Sequence, residues 1–165
     1  MAILKFDGFI NEVINRESLR RTAGIALVHD NRILLVHPAG SGWKKSTCGI
    51  PKGGMEPNED PMEAALRELR EETGIILDPA DIDPSPEVVN FYNKGGVLKG
   101  QLIYFVAHIP NLEKISLSSY RVPKDQLQAE EIDWAKFVGP KEAYTITSRG
   151  QLIILDRHLD IRLDK

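Results

Sequence analysis

Glu68, Glu71 and Glu72 are the residues of this chain whose type and spacing could do chemistry. On a helix turning about 100° per residue, Glu72 lies about 40° to one side of Glu68 and Glu71 about 60° to the other, so three carboxylates share one narrow face. Met62, Ala65, Leu66 and Leu69 occupy the adjoining stretch of the same surface, which reads as the buried face. Like charges one turn apart cost a helix about 0.2–0.5 kcal/mol per pair. A bound divalent cation would remove that repulsion. Hard carboxylate oxygens suit Mg²⁺ or Mn²⁺, which retain several waters and lean on a few carboxylates plus substrate phosphates. A merely solvated acidic face is the plainer reading of the same three residues.

The residues around them must hold this face in place. Asp60 with Glu63 three positions on forms a capping-box-like pair, and Pro61 stands at the first helical position, where its missing N–H costs nothing. Gly74 supplies the left-handed stop. The expected helix therefore runs from Pro61 to Thr73, with Glu59 in the loop that starts at Gly53. Arg67 falls beside Glu71 and Glu63, where an ordinary surface ion pair would contribute about 0–1 kcal/mol.

Residues 53–75 follow the pattern G-x5-E-x7-R-E-U-x-E-E-x-G-U, with U apolar, at Gly53, Glu59, Arg67, Glu68, Leu69, Glu71, Glu72, Gly74 and Ile75. This stretch resembles the Nudix box. At ordinary residue usage, a chance match in a chain of this length has odds of roughly one in ten million. The resemblance implies a metal-dependent hydrolase of nucleoside diphosphates linked to another group X. It implies Mg²⁺ or Mn²⁺ as cofactor, with Glu68 and Glu72 as principal ligands and Glu71 as ligand or general base. Glu59 would act from the loop, often through water, and a main-chain carbonyl near Gly53 would be a further ligand. Arg67 would hold a catalytic glutamate in position. Many Nudix enzymes also carry a glutamate near Glu130 and Glu131 that completes the metal site or serves as base, and Glu131 is taken here as that candidate. Lys52, directly before the box loop, is a candidate phosphate clamp, with Lys45 and Lys44 upstream as weaker ones.

The 165 residues are 42% hydrophobic, enough for a single domain over 1–165 with a core of its own. A net charge of −3 argues against a general binder of nucleic acid or of anionic membrane, leaving an RNA 5′ end as the conceivable nucleic-acid partner. The single cysteine, Cys48, excludes an internal disulfide and fits a reducing compartment, so a cytoplasmic protein is expected. The first residues read as neither signal peptide nor membrane span. His29, His37, His108 and His158 show no ligand spacing, although His37 could line a pocket.

Along the chain, a strand is expected at Leu4–Phe9. Thr22–His29 and Arg32–His37 read as a hairpin about Asp30-Asn31, followed by a glycine- and serine-punctuated loop over residues 39–45. Glu87–Asn93 and Gln101–Ile109 form a second pair joined by a KGGVLKG loop. Glu131–Val138 reads as a strand, Lys141–Tyr144 as a helical turn, and Arg149–Leu163 as an amphipathic C-terminal helix. Strands on both sides of one marked helix suggest an α/β class with a mixed central sheet. The Nudix resemblance implies the α/β/α sandwich of that family.

The identity of X depends on residues outside the box. Dinucleoside polyphosphate hydrolases of the family tend to carry a tyrosine where Tyr92 stands, 17 positions after Ile75, so its ring is expected to stack on a base. ADP-ribose hydrolases tend to carry a proline where this chain has Asn90. A dinucleoside polyphosphate is therefore the preferred substrate, ahead of ADP-ribose-like nucleotide sugars, nucleoside triphosphates and 5′-triphosphorylated RNA. A non-catalytic nucleotide-binding Nudix module is the contrasting possibility; such modules commonly lose box glutamates, and this chain keeps them all.

Overall fold

Asp30 and Asn31 both take positive φ, 48° and 54°, as a two-residue hairpin turn requires. They join β1 (Arg20–His29) to β2 (Arg32–Pro38). The computed structural model describes residues 19–42 and 46–163. The strand expected at Leu4–Phe9 lies outside the described residues, as do Lys44 and Lys45.

Among the described residues the sheet has four more strands: β3 (Lys52–Gly54), β4 (Glu87–Tyr92), β5 (Leu98–His108) and β6 (Ile132–Val138). Their order is β4-β5-β1-β2-β6, with β3 also on β1. The β1–β5 pair is parallel and the others are antiparallel, so the sheet is mixed as expected. Successive strand residues face opposite sides, and the two sides carry separate cores. Ile25, Leu27, Leu34 and Val36 pack against Ala64, Ala65 and Leu69 of α1 (Pro61–Thr73). Ala26, Val28, Ile33 and Leu35 pack against Ala143 of α2 (Pro140–Ile146) and Ile154 and Leu155 of α3 (Leu152–His158). Cys48 belongs to the second core, where burial pushes its thiol up to about 11. The result is an α/β/α sandwich. No helix among the described residues is long and apolar enough to cross a membrane.

Two elements differ from expectation. The last three residues of the KGGVLKG stretch are strand: β5 begins at Leu98, which pairs with Tyr92, so the hairpin loop is short. Pairing with β4 and β1 overrides its flexible composition. The C-terminal helix is also shorter than its apolar pattern suggests. α3 spans seven residues after a 3₁₀ turn at Arg149–Gln151, and Leu159 is already extended. Asn31 explains the break, because its side chain donates to the Asp160 carbonyl at 2.8 Å and accepts from the Asp160 N–H at 2.8 Å. That reciprocal pair pulls the chain onto the β1–β2 turn.

β1 forks its partners. Its end pairs with β2 at Val28 and His29, whereas its start pairs with β3 at Thr22, Ala23 and Gly24 on the same edge. Residues 49–51 fill the gap between them, Ile25 donating to the Pro51 carbonyl at 3.2 Å and Val36 to that of Gly49 at 2.8 Å. Gly24 permits the crossing: a Cβ there would lie 2.6 Å from the Pro51 oxygen. The site described next is built at this fork.

Candidate active site

α1 starts and stops where its sequence says. Asp60 Oδ2 accepts from the N–H groups of Met62 (3.0 Å) and Glu63 (3.2 Å), and Gly74 closes the helix at φ 70° with its N–H on the Arg70 carbonyl. The helix thus presents Arg67, Glu68, Glu71 and Glu72 towards β3 and the loop after it, but not to the same depth. Glu68 and Glu72 are buried, 8% and 7% exposed, whereas the Glu71 side chain is 44% exposed.

Arg67 is the hub of this surface. Its Nε and Nη2 grip the two oxygens of Glu59 at 2.9 Å each. Nη1 reaches Glu68 Oε1 at 2.8 Å and Glu71 Oε2 at 3.1 Å, and Nη2 also donates to the Gly54 carbonyl at 3.0 Å. One planar guanidinium thereby sets the positions of three carboxylates and a loop carbonyl, which a loose surface pair could not do. Its bonds, chiefly those from Arg67 and then the Glu56 N–H, hold Glu59 down to about 2. Arg67 itself is held more firmly protonated, first by Glu59. Arg67→Lys is expected to lower kcat about 10–100-fold, the usual cost of losing a residue that orients ligands. A lysine keeps the charge but cannot make the fork. Steady-state kinetics at saturating cation check this, and wild-type turnover in the variant would refute it.

Glu68 lies against the backbone of Gly53, where a Cβ would be 2.1 Å from its Cδ and Oε2. Glu72 Oε2 accepts the Lys52 N–H at 3.2 Å. Burial is the main cause that raises the Glu72 carboxyl, to about 8; Glu68 and Glu131 push the same way, against the Lys52 N–H and charge. Glu68 is raised too, first by burial, with Glu71 and Glu131 adding to it and Arg67 opposing. Two carboxylates, each raised chiefly by burial, form an oxygen donor pair that a hard cation would stabilise. Among the described residues, no three carboxylate, imidazole or thiolate groups already converge as a closed cation cage. A donor set of that kind fits Mg²⁺ or Mn²⁺, which take few protein ligands and fill the remaining positions with water and phosphate.

A cavity of about 210 Å³ opens at the fork of the sheet, with Glu72 and Glu131 in its wall beside Lys52, Gly49, Ile132 and Gln151. Glu131 is therefore brought to Glu72, and Lys52 reaches the same space. A second cavity, of about 420 Å³, adjoins it through Lys52 and Gln151. Phe91 lines this second cavity. Tyr92, the residue expected to stack on a base, is instead 61% exposed and lies outside both linings. Neighbouring strand residues face opposite ways, so a one-residue difference decides which ring can meet a ligand. His37 lines neither cavity. It is 3% exposed, bonded through Nδ1 to Asp133 at 2.9 Å and stacked on Trp134. Lys45 and Lys44 fall outside the described residues. Sequence reasoning missed Gln151 and Phe91, because the pairing that aims them is long-range.

The family model for the NUDIX domain matches residues 18–154. The chain belongs to the Nudix family. A stretch of 72 residues is 40% identical to an RNA pyrophosphohydrolase of Halorhodospira halophila, covering 42% of this chain and 36% of that protein. Another of 52 residues is 46% identical to a methanol dehydrogenase activator of Bacillus methanolicus, covering 32% and 28%. The chain thus spans about a third of the length of these relatives. Among solved structures, an Ap4A hydrolase of C. elegans aligns with a TM-score of 0.59 at 21% identity, over 85% of this chain and 94% of that one. That likeness is one of fold, and it places the Nudix sandwich across most of the chain.

Proposed function

We propose that this protein is a metal-dependent Nudix pyrophosphohydrolase that cleaves a diphosphate linkage in a nucleoside diphosphate joined to a group X. The observation that carries the reading is the buried pair Glu68 and Glu72, set against Gly53 and the Lys52 N–H and tied through Glu68 to the Arg67 hub. Glu68 and Glu72 would hold Mg²⁺ or Mn²⁺, with Glu59, Glu71 and the backbone near Gly53 contributing directly or through water. When bound, the cation supplies charge neutralisation for the diphosphate and makes water a readier nucleophile.

The protein's own groups do the positioning. Lys52 binds a phosphate at the entrance shared by the two cavities. Glu131 is the better-placed general base, since it lines the cavity that holds Glu72, whereas Glu71 is restrained on the outside by Arg67. Arg67 keeps Glu59 and Glu68 fixed, so little reorganisation is left for the reaction itself.

Within this class a dinucleoside polyphosphate is the first candidate to test, although Tyr92, whose ring lies outside both cavities, does not argue for it. A 5′-triphosphorylated RNA end is the second reading, favoured by the 40% identity to a protein named for that activity. A screen of diadenosine polyphosphates, ADP-ribose, nucleoside triphosphates and triphosphorylated RNA, read by phosphate release after coupled phosphatase treatment, tests the reading. Turnover is expected with Mg²⁺ or Mn²⁺ and none in excess EDTA. Thermal stability should rise with added cation by about RT ln(1 + [L]/Kd). Turnover that survives exhaustive chelation would refute the mechanism, and nucleotide binding without any turnover would favour a non-catalytic module.

A further inference from the structure

We infer that His37 and Asp133 are a positioning pair for catalysis: together they hold a bulge in β6 that turns Glu131 towards the reaction cleft. The inference rests on the pyrophosphohydrolase reading, in which Glu131 is the general base, and it extends that site to two residues behind its wall.

The bulge shows in the register. His37 of β2 stands opposite Trp134 and Pro38 opposite Ile132, so Asp133 is the extra residue on β6. A regular strand alternates its faces and would put Ile132 on the side of Trp134. Instead Ile132 joins Ala135 and Phe137 in the core beneath α1, while Trp134 packs against the opposite core. One inserted residue has reversed the face of the strand that precedes it. Ile132 and Glu131 thereby reach the wall of the smaller cavity, beside Glu72. Backbone bonds then fix the turn. The Ala39 N–H donates to the Glu131 carbonyl at 2.7 Å. The Gln128 carbonyl accepts from the N–H groups of Glu131 (2.9 Å) and Ile132 (2.8 Å), and the Gln128 N–H donates to the Glu72 carbonyl at 3.3 Å.

His37 holds the extra residue in place. By alternation its ring shares a face with Ile33 and Leu35, where an apolar side chain would satisfy packing. What an imidazole adds is a donor: Nδ1 donates to Asp133 Oδ2 at 2.9 Å. Stacking on Trp134, with ring centroids 5.6 Å apart and planes 22° from parallel, fixes the direction of that N–H. The same ring meets the loop after β2. His37 Nε2 lies 3.3 Å from Ser41 Oγ, the Ser41 hydroxyl donates to the Pro38 carbonyl at 2.6 Å, and the Thr47 hydroxyl donates to Ser41 Oγ at 3.2 Å. Thr47 is itself in the wall of the smaller cavity. A line of bonded side chains therefore runs behind the cleft from Thr47 to the bulge next to Glu131. A general base must be held within hydrogen-bond reach of the water it deprotonates, and a bulge is a common means of re-aiming a side chain at such a site.

The test uses His37→Phe, His37→Asn, Asp133→Ala and Glu131→Gln, with the double variant of His37→Phe and Glu131→Gln, on whichever diphosphate of the screen turns over fastest. His37→Phe keeps the buried ring and its stacking and removes the donor; Asp133→Ala removes the acceptor at a partly exposed position. Each is expected to lower kcat about 10- to 100-fold, the cost of misplacing a reacting group by about 1 Å, with KM and the cation requirement unchanged. His37→Asn, which restores an N–H donor close to the Nδ1 position, should recover most of the loss. Because the pair acts through Glu131, His37→Phe should cost little more once Glu131→Gln is present. Hydrogen exchange in the cation-free protein gives an arm independent of turnover: the Ala39 amide should exchange faster in His37→Phe, and the Val36 amide, bonded to the Gly49 carbonyl, at the wild-type rate. Wild-type kcat in His37→Phe and Asp133→Ala, or an undiminished loss on the Glu131→Gln background, would overturn the positioning pair. Ala39 exchange that depends on His37 in a protein that turns over no diphosphate would keep the pair as the holder of the bulge and overturn the hydrolase reading.

Discussion

Glu72→Gln is expected to lower kcat by about 10²–10⁴ while leaving the fold intact, a loss of about 3–5 kcal/mol of transition-state stabilisation. The substitution is nearly isosteric, and glutamine can still accept the Lys52 N–H that Glu72 accepts at 3.2 Å. What goes is the negative charge, and with it a hard oxygen donor for the cation. Folding and catalysis make opposite demands on this carboxylate. Glu72 is 7% exposed and its carboxyl is raised to about 8 by burial, so the metal-free protein is strained by the ionised form. Neutralising it should leave the metal-free melting temperature unchanged or higher. Circular dichroism with a melt in EDTA, set beside kinetics in saturating Mg²⁺, reads both halves. Wild-type turnover with an intact fold would remove Glu72 from the reaction.

Gly53→Ala is expected to cost about 10²-fold in kcat through displacement alone, with no functional group removed. The new Cβ would lie 2.1 Å from the Glu68 carboxylate, and one of the two must move. β3 cannot, because Thr22, Ala23 and Gly24 of β1 hold Gly54, Gly53 and Lys52 in register. Glu68 has to give, and it draws on the same Arg67 nitrogen that holds Glu71. Gly54→Ala is the contrast: a Cβ there meets nothing within 4 Å, so its loss should be far smaller. Equal activity of the two alanine variants would show that the Glu68 position is not what limits turnover.

Local chemistry explains which parts of this protein were readable from its residues. Asp60, Pro61 and Gly74 act within a few positions of themselves, and α1 begins and ends where they stand. Asp30 and Asn31 likewise carry their own turn. The grip of Arg67 on Glu71 follows from one helical turn, but its bidentate bond to Glu59 crosses from helix to loop and was implied only by the family pattern. The failures are long-range in kind. β5 begins at Leu98 because strands on either side recruit residues that look like a loop, and α3 stops short because Asn31, at the far end of the sheet, binds Asp160. Phe91 and Tyr92 are indistinguishable as neighbours in a sequence; only the pairing of β4 decides which ring faces the cavity. Gln151 carried no pattern at all, since its role comes from meeting Ile50 and Gly49 across a hundred residues of chain.

The forked edge of β1 separates two kinds of freedom to change. The glutamates and Arg67 answer to β3 and α1, where a single added methyl group at Gly53 has nowhere to go. The wall that carries Phe91 and Gln151 answers to β4 and the 3₁₀ turn before α3, out towards the opposite edge of the sheet. Phe91 and Lys99 line only the larger cavity, so substitutions there can accumulate without reaching the carboxylates, and new leaving groups can be explored by drift while hydrolysis is conserved; Gln151, which shares the smaller cavity with Glu72, has less freedom. A library randomised at Phe91 and Lys99 should therefore yield folded, cation-responsive proteins of altered preference at a much higher rate than one randomised at Gly53, Arg67 and Glu68.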